Sequence, residues 1–125
     1  MQEARTLTTR DALLLWFAVL APPASWVVHF AVGWLLDVAA CMNGTAVEAV
    51  EPVILVSTAV CAAVSLAGGA AAWLLLRRVR RGELRDPRAR LGFMAVMALL
   101  GSFIFTALNI PEGVQVLSLT ACRPG

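Results

Sequence analysis

The sequence predicts an all-α membrane protein: a bundle of three transmembrane helices. Its composition is the first reason, because 60% of the 125 residues are hydrophobic and 14% are charged, whereas a soluble domain carries roughly 25% charged residues. The second reason is that three stretches, at about 12–36, 52–76 and 91–110, contain no charged side chain. Each is long enough for a helix that crosses a hydrocarbon core of about 30 Å.

The segment 77–90 predicts the orientation of the chain, since it carries seven of the ten basic residues. Short loops rich in arginine are retained on the cytoplasmic side of a bacterial inner membrane. We therefore expect the amino terminus and this loop to be cytoplasmic. The loop 37–51 and the tail 111–125 would then lie on the periplasmic or extracellular side, and residues 1–125 would form a single membrane domain.

The same segment predicts contact with anionic lipid headgroups. A basic patch can also bind nucleic acid, but its position between two membrane spans favours lipid. The arginines expected at the headgroups are Arg77, Arg78, Arg80 and Arg81.

Prolines and capping residues predict where the helices begin, bend and end. Thr8 or Thr9 is expected to cap the first helix. Pro22-Pro23 predicts a kink within that helix, and Pro52 fits the first turn of the second helix. The third helix is expected to end or bend at Pro111.

Small side chains spaced three and four residues apart predict the faces on which the helices pack. On the second span these are Ser57, Cys61, Ser65, Gly68, Gly69 and Ala72, and on the third they are Gly101, Ser102, Thr106 and Asn109.

Two of the three cysteines, Cys41 and Cys122, are predicted to lie outside the membrane on the same face. An oxidising compartment favours a disulfide between them; the alternative is two unrelated free thiols. Cys61 lies within the second span, where we expect a reduced packing residue. Residues 38–41 resemble a lipoprotein cleavage site, but the preceding apolar run is longer than the 7–15 residues, roughly, of a signal sequence.

His29 is the only histidine and lies inside the first span. Ionisable groups at membrane depth usually face the bundle interior or a cavity. His29 is therefore a candidate proton or partner-facing site, together with Asp37, Glu51 and Glu112 at the outer mouth. The alternative is a neutral histidine bonded to a serine, threonine or asparagine of a neighbouring helix. A third alternative is a ligand to a metal or haem iron, but one histidine does not supply the three or four ligands of a zinc site, and no metal or other cofactor is expected.

The pattern Pro23-x-x-Trp26-x-x-His29, followed by Cys41, Asn109-x-Pro111 and Cys122, resembles a group of small three-helix membrane proteins. In bacteria these proteins are often encoded beside the subunits of haem–copper cytochrome oxidases. The resemblance implies an accessory or assembly role near a respiratory oxidase. It carries no catalytic residue onto this chain.

The sequence contains no phosphate-binding glycine loop, nucleophile elbow or paired catalytic carboxylates, and we expect no enzymatic activity. The predicted function is a non-catalytic accessory subunit or assembly factor of a respiratory complex in the bacterial inner membrane. Its expected partners are lipids and other membrane subunits, with no nucleic acid or soluble substrate. The alternative is a small oligomeric transporter or channel subunit that uses His29 and the outer acidic residues as an ion path.

Overall fold

Three long helices account for most of the chain. The computed structural model describes residues 6–43, 47–86 and 89–118. Its helices are α1 (Thr9–Asn43), α2 (Val47–Arg80) and α3 (Arg90–Ser118), and each packs against the other two. All three are long and apolar enough to cross a membrane. The predicted all-α architecture with three potential spans is confirmed.

The bundle has two chemically distinct ends. We call the end where α2 stops and α3 starts the arginine end. The opposite end, where α1 stops and α2 starts, is the acidic end, because Asp37, Glu51 and Glu112 lie toward it. This division follows from the chain order, since consecutive helices joined by short connections run antiparallel.

The apolar core lies toward the arginine end and consists of leucine and alanine. One buried cluster contains Leu15, Leu75, Leu84 and Leu91, and a second contains Ala18, Ala71, Ala72 and Ala98. Alanine suits this position because helices in lipid associate through close packing. Large apolar side chains are instead exposed on the outside of all three helices, among them Trp16, Phe30, Phe93 and Phe103. Such a surface suits contact with hydrocarbon.

Thr8 caps the start of α1 through a reciprocal arrangement with Asp11. The Thr8 hydroxyl and backbone N–H both donate to Asp11 Oδ2, at 2.8 and 3.3 Å, and the Asp11 N–H lies 3.3 Å from Thr8 Oγ1. This capping box satisfies backbone donors that a helix start otherwise leaves free. Thr8, one of the two predicted caps, is therefore confirmed.

Local hydrogen bonds stop α2 and start α3 at the arginine end. Gly82 has a positive φ of 71°, and the N–H groups of Gly82 and Glu83 donate to the carbonyls of Val79 and Arg78, both at 3.0 Å. This is a Schellman stop, for which glycine is the favoured residue. Asp86 then accepts from the first backbone N–H groups of α3, at 3.1 and 2.8 Å. The turn is thereby fixed at both of its ends.

The helices extend beyond the loops that the sequence predicts. Residues 37–43 and 47–51 are helical rather than parts of an outer loop, and Pro52 lies six residues into α2 instead of in its first turn. Likewise, α3 continues through Pro111 to Ser118, so all of the predicted tail that the structure describes is helix. A proline costs a helix one backbone hydrogen bond. Directly after Pro111, Glu112 contacts Trp26 and His29 of α1.

Candidate functional site

His29 joins all three helices near the acidic end. Its Nε2 lies 2.8 Å from the hydroxyl of Thr58 on α2, and its Nδ1 lies 3.3 Å from Oε2 of Glu112 on α3. The side chain of His29 is 5% exposed and that of Glu112 is 27% exposed. The imidazole is therefore inside the bundle, with a carboxylate between it and the surroundings.

Trp26 holds the second oxygen of the same carboxylate. Its indole N–H donates to Glu112 Oε1 over 2.9 Å. The ring also stacks on Phe30, with centroids 5.9 Å apart, and lies 6.0 Å from the ring of Phe105. Because Trp26 and His29 are one turn apart on α1, both can face α3. Glu112 thus makes a two-point contact between α3 and α1.

A second polar contact joins α2 and α3 farther toward the middle of the bundle. Ser102 Oγ donates to the Ser65 carbonyl over 2.7 Å, Ser65 Oγ donates to the Ser102 carbonyl over 3.3 Å, and Thr106 Oγ1 donates to Ser65 Oγ over 3.0 Å. Gly69 lies beside this contact, and a Cβ there would be 2.4 Å from Ser102 Oγ. The predicted packing role is confirmed for these four residues, but it is wrong for Gly101 of α3, where a Cβ would have no atom within 4 Å.

The α1–α2 contact depends on another glycine. A Cβ on Gly68 would lie 3.0 Å from Pro22 Cδ and 3.5 Å from the Ala18 carbonyl oxygen. Ala18 is the residue whose carbonyl cannot receive a helical hydrogen bond from Pro22. The backbone of α2 therefore passes directly against the interruption in α1.

Asn109 is the least satisfied polar residue of this interior. It is fully buried one turn from Glu112, and neither Oδ1 nor Nδ2 has a hydrogen-bond partner within the described part of the chain. Buried polar groups in proteins are usually bonded to protein or ordered water. The carboxamide offers a polar molecule in the interior one acceptor and two N–H donors.

Asp11 and Arg78 form the polar contact at the arginine end. Arg78 Nη1 lies 2.7 Å from Asp11 Oδ1, with the arginine side chain about half exposed and the carboxylate buried. This pair joins the start of α1 to the last turn of α2. One of the four arginines predicted at lipid headgroups thus has a structural partner, while Arg77, Arg80 and Arg81 are exposed.

The structure brings together two of the four residues of the predicted proton or partner-facing site. His29 and Glu112 are in contact. Among the described residues, neither Asp37 nor Glu51 forms a hydrogen bond or ion pair with them, and Glu51 is exposed. Both ring nitrogens of His29 have a partner. One is the Thr58 hydroxyl, the kind of partner expected for a structural histidine, and the other is the Glu112 carboxylate, which was expected for a proton site.

Sequence reasoning missed Thr58 as a member of this site. Thr58 stands next to the small-residue face of α2 and has no signal of its own. The helical spacing does place Trp26 on roughly the same face of α1 as His29, but it does not show that both rings share one carboxylate of α3. Their partner, Glu112, lies more than eighty residues away in the sequence.

Two of the three cysteines, Cys41 and Cys61, lie within the residues that the structure describes. Cys61 is buried with a free thiol, as predicted. Cys41 lies in the last turn of α1, whereas Cys122 lies outside the described residues. The disulfide between them stays a prediction. Within the described ranges, no group of three or more His, Cys, Asp and Glu side chains is arranged to hold a metal ion.

Comparisons with protein-family models, with curated proteins and with solved structures find no match to this chain.

Proposed function

We propose that this chain is a non-catalytic accessory subunit or assembly factor of a respiratory complex in a bacterial inner membrane, with a cytochrome oxidase as the favoured partner. Its amino terminus and its arginine end face the cytoplasm, and its acidic end faces the periplasm or cell exterior. The arginine distribution supports this orientation. The resemblance to small proteins encoded beside oxidase subunits supports the choice of complex.

The observation that carries the proposal is the division of side chains between the inside and outside of the bundle. The polar contacts of His29, Glu112, Ser65 and Ser102 are all made between helices of this one chain. The outside of the helices presents exposed apolar side chains instead. A small bundle that is bonded internally and apolar outside is suited to pack against lipid and against the helices of larger subunits.

Co-purification tests the proposal. The tagged chain, expressed in its native host and extracted in a mild detergent, is expected to carry oxidase subunits with it in a fixed ratio. Phe103→Ala, at an exposed position, is expected to lower that ratio if α3 faces the partner, and Trp16→Ala and Phe30→Ala probe α1 in the same way. Recovery of the chain without partner subunits, from membranes that contain the oxidase, would refute the proposal.

The orientation has its own test. A reporter that is active only in the periplasm is expected to be active when fused after Gly125 and silent when fused after Gly82. The reverse pattern would overturn the proposed topology without touching the choice of partner.

The alternative function is a small oligomeric transporter or channel subunit, and the buried His29–Glu112 contact favours it. An ion path inside one chain would have to continue from His29 through the buried apolar layer toward the arginine end, which includes Ala18, Ala72 and Leu75. A path between copies of the chain avoids that layer. Ion flux in liposomes that depends on His29 would favour this alternative, and oxidase-dependent co-purification without flux would favour the accessory role.

A further inference from the structure

The hydroxyl of Thr58 has one proton, and the carbonyl of Ile54 is placed to accept it. Thr58 Oγ1 donates to the carbonyl of Ile54 over 2.8 Å, which is a common bond for a threonine inside a helix. A hydroxyl that has donated its only proton can only accept from other groups. With that proton on the Ile54 carbonyl, the contact of 2.8 Å with His29 Nε2 is a hydrogen bond that the ring donates from Nε2.

This assignment determines what faces Glu112. A neutral imidazole has one N–H, so a ring that donates from Nε2 has a bare Nδ1. That nitrogen lies 3.3 Å from Glu112 Oε2. If Glu112 were ionised, two acceptors would face each other in a largely buried place. One additional proton converts the contact into a hydrogen bond, whether it belongs to the ring or to the carboxyl group.

We propose that His29 and Glu112 form a proton-binding site that holds one proton between Nδ1 and Oε2, and that loss of this proton breaks the contact between His29 and Glu112 while the bond from Trp26 to Glu112 remains. The site exchanges its proton with water at the acidic end, since Glu112 is the more exposed partner. This proposal does not depend on the partner complex or on the accessory role.

Among the described residues, no other charged side chain contacts His29 or Glu112. Within α1, the nearest ionisable side chain toward the acidic end is Asp37, two turns away. From α2 the ring meets the uncharged Thr58, while Glu51 is exposed and makes no contact with it. From α3 it meets Glu112, whose other oxygen accepts from the indole of Trp26.

Solid-state nuclear magnetic resonance of the full chain in bilayers tests the proposal directly, because His29 is the only histidine. Nitrogen-15 labelling of histidine shows which of the two ring nitrogens is protonated. Carbon-13 labelling of glutamate shows whether Glu112 is ionised, and the Glu112 signal is assigned as the carboxyl signal that disappears in Glu112→Gln. At pH 7 the expected result is one shared proton. Either both ring nitrogens are protonated beside an ionised Glu112, or Nε2 alone is protonated beside a neutral Glu112.

Two results would overturn it. A neutral ring protonated only at Nδ1, beside an ionised Glu112, would mean that Thr58 donates to the ring. A ring protonated only at Nε2, beside an ionised Glu112, would mean that no extra proton is bound. If the site is as proposed, raising the pH removes one proton, and the magnetisation transfer between the ring and the carboxyl group disappears over the same pH range.

Glu112→Gln supplies the decisive variant. The glutamine amide can donate to Nδ1 while its oxygen still accepts from Trp26, so the contact no longer needs a proton from solution. We expect the ring to stay neutral and the contact to become independent of pH. Glu51→Gln, which removes an exposed carboxylate, is the matched control and should titrate like the wild type. A Glu112→Gln contact that still breaks with rising pH would contradict the proposal, and the wild-type measurement decides the question if this variant does not fold.

Discussion

Gly69 is the position at which one added methyl group should most clearly disturb the bundle. In Gly69→Ala the new Cβ would lie 2.4 Å from Ser102 Oγ and 3.1 Å from Ser102 Cβ. The hydroxyl must then turn away, and it loses its bond of 2.7 Å to the Ser65 carbonyl. Gly101→Ala is the matched control, because a Cβ there has no atom within 4 Å.

The size of the effect follows from these two contacts. A side-chain hydrogen bond between membrane helices contributes about 0.6 kcal/mol on average and up to roughly 1.7. Displacing Ser102 by a few tenths of an ångström adds overpacking strain, which typically costs about 1–3 kcal/mol. Alanine gains about 1 kcal/mol over glycine in helix propensity, but both variants share this gain. We therefore expect Gly69→Ala to be less stable than Gly101→Ala by about 2–3 kcal/mol.

Reversible unfolding by dodecyl sulfate in mixed micelles, followed by circular dichroism, measures this difference. Adding Ser102→Ala to Gly69→Ala removes the atom that causes the closest contact and is expected to restore part of the lost stability. The double-mutant cycle isolates the interaction between the two positions. Equal stabilities of Gly69→Ala and Gly101→Ala would refute the close packing of α2 on α3 at this point.

Three further predictions concern charged residues and cysteines. Glu112→Ala leaves the indole N–H of Trp26 without its acceptor and His29 Nδ1 without its hydrogen-bonding partner, and it is expected to lower the unfolding free energy by about 1–3 kcal/mol. Glu51→Ala, at an exposed position, should change it little; equal effects would contradict the buried contact. Asp11→Ala removes the carboxylate half of the capping box, where a capping interaction typically contributes about 1 kcal/mol, and an ion pair with a half-exposed partner that contributes about 1 kcal/mol or less. A combined loss of about 1–2 kcal/mol is expected in the same assay, and a wild-type value would contradict the capping box. Mass spectrometry after alkylation without reductant is expected to show one free thiol if Cys41 and Cys122 are bridged, and three alkylated thiols in material kept oxidising would refute the bridge.

The sequence by itself determined the class of the protein and much of its local structure. Long uncharged stretches must bond their own backbone groups in a membrane, and helices do this without any partner. The cap at Thr8 and the close-packing faces of α2 and α3 are likewise local patterns, because they depend on spacing along one helix. His29 stood out for a similar reason, since a lone ionisable group at membrane depth needs a partner.

Only the tertiary structure decided which partners these residues have. Glu112 meets His29 and Trp26 because α3 continues through Pro111, whereas the local preference of the residue before proline predicted an end or a bend there. The hydroxyl of Thr58 contacts Nε2 of His29, although no pattern in the surrounding sequence predicts this contact. Such contacts join residues that are far apart in the chain, and their formation depends on how three helices pack against one another, which no pattern within a single helix specifies.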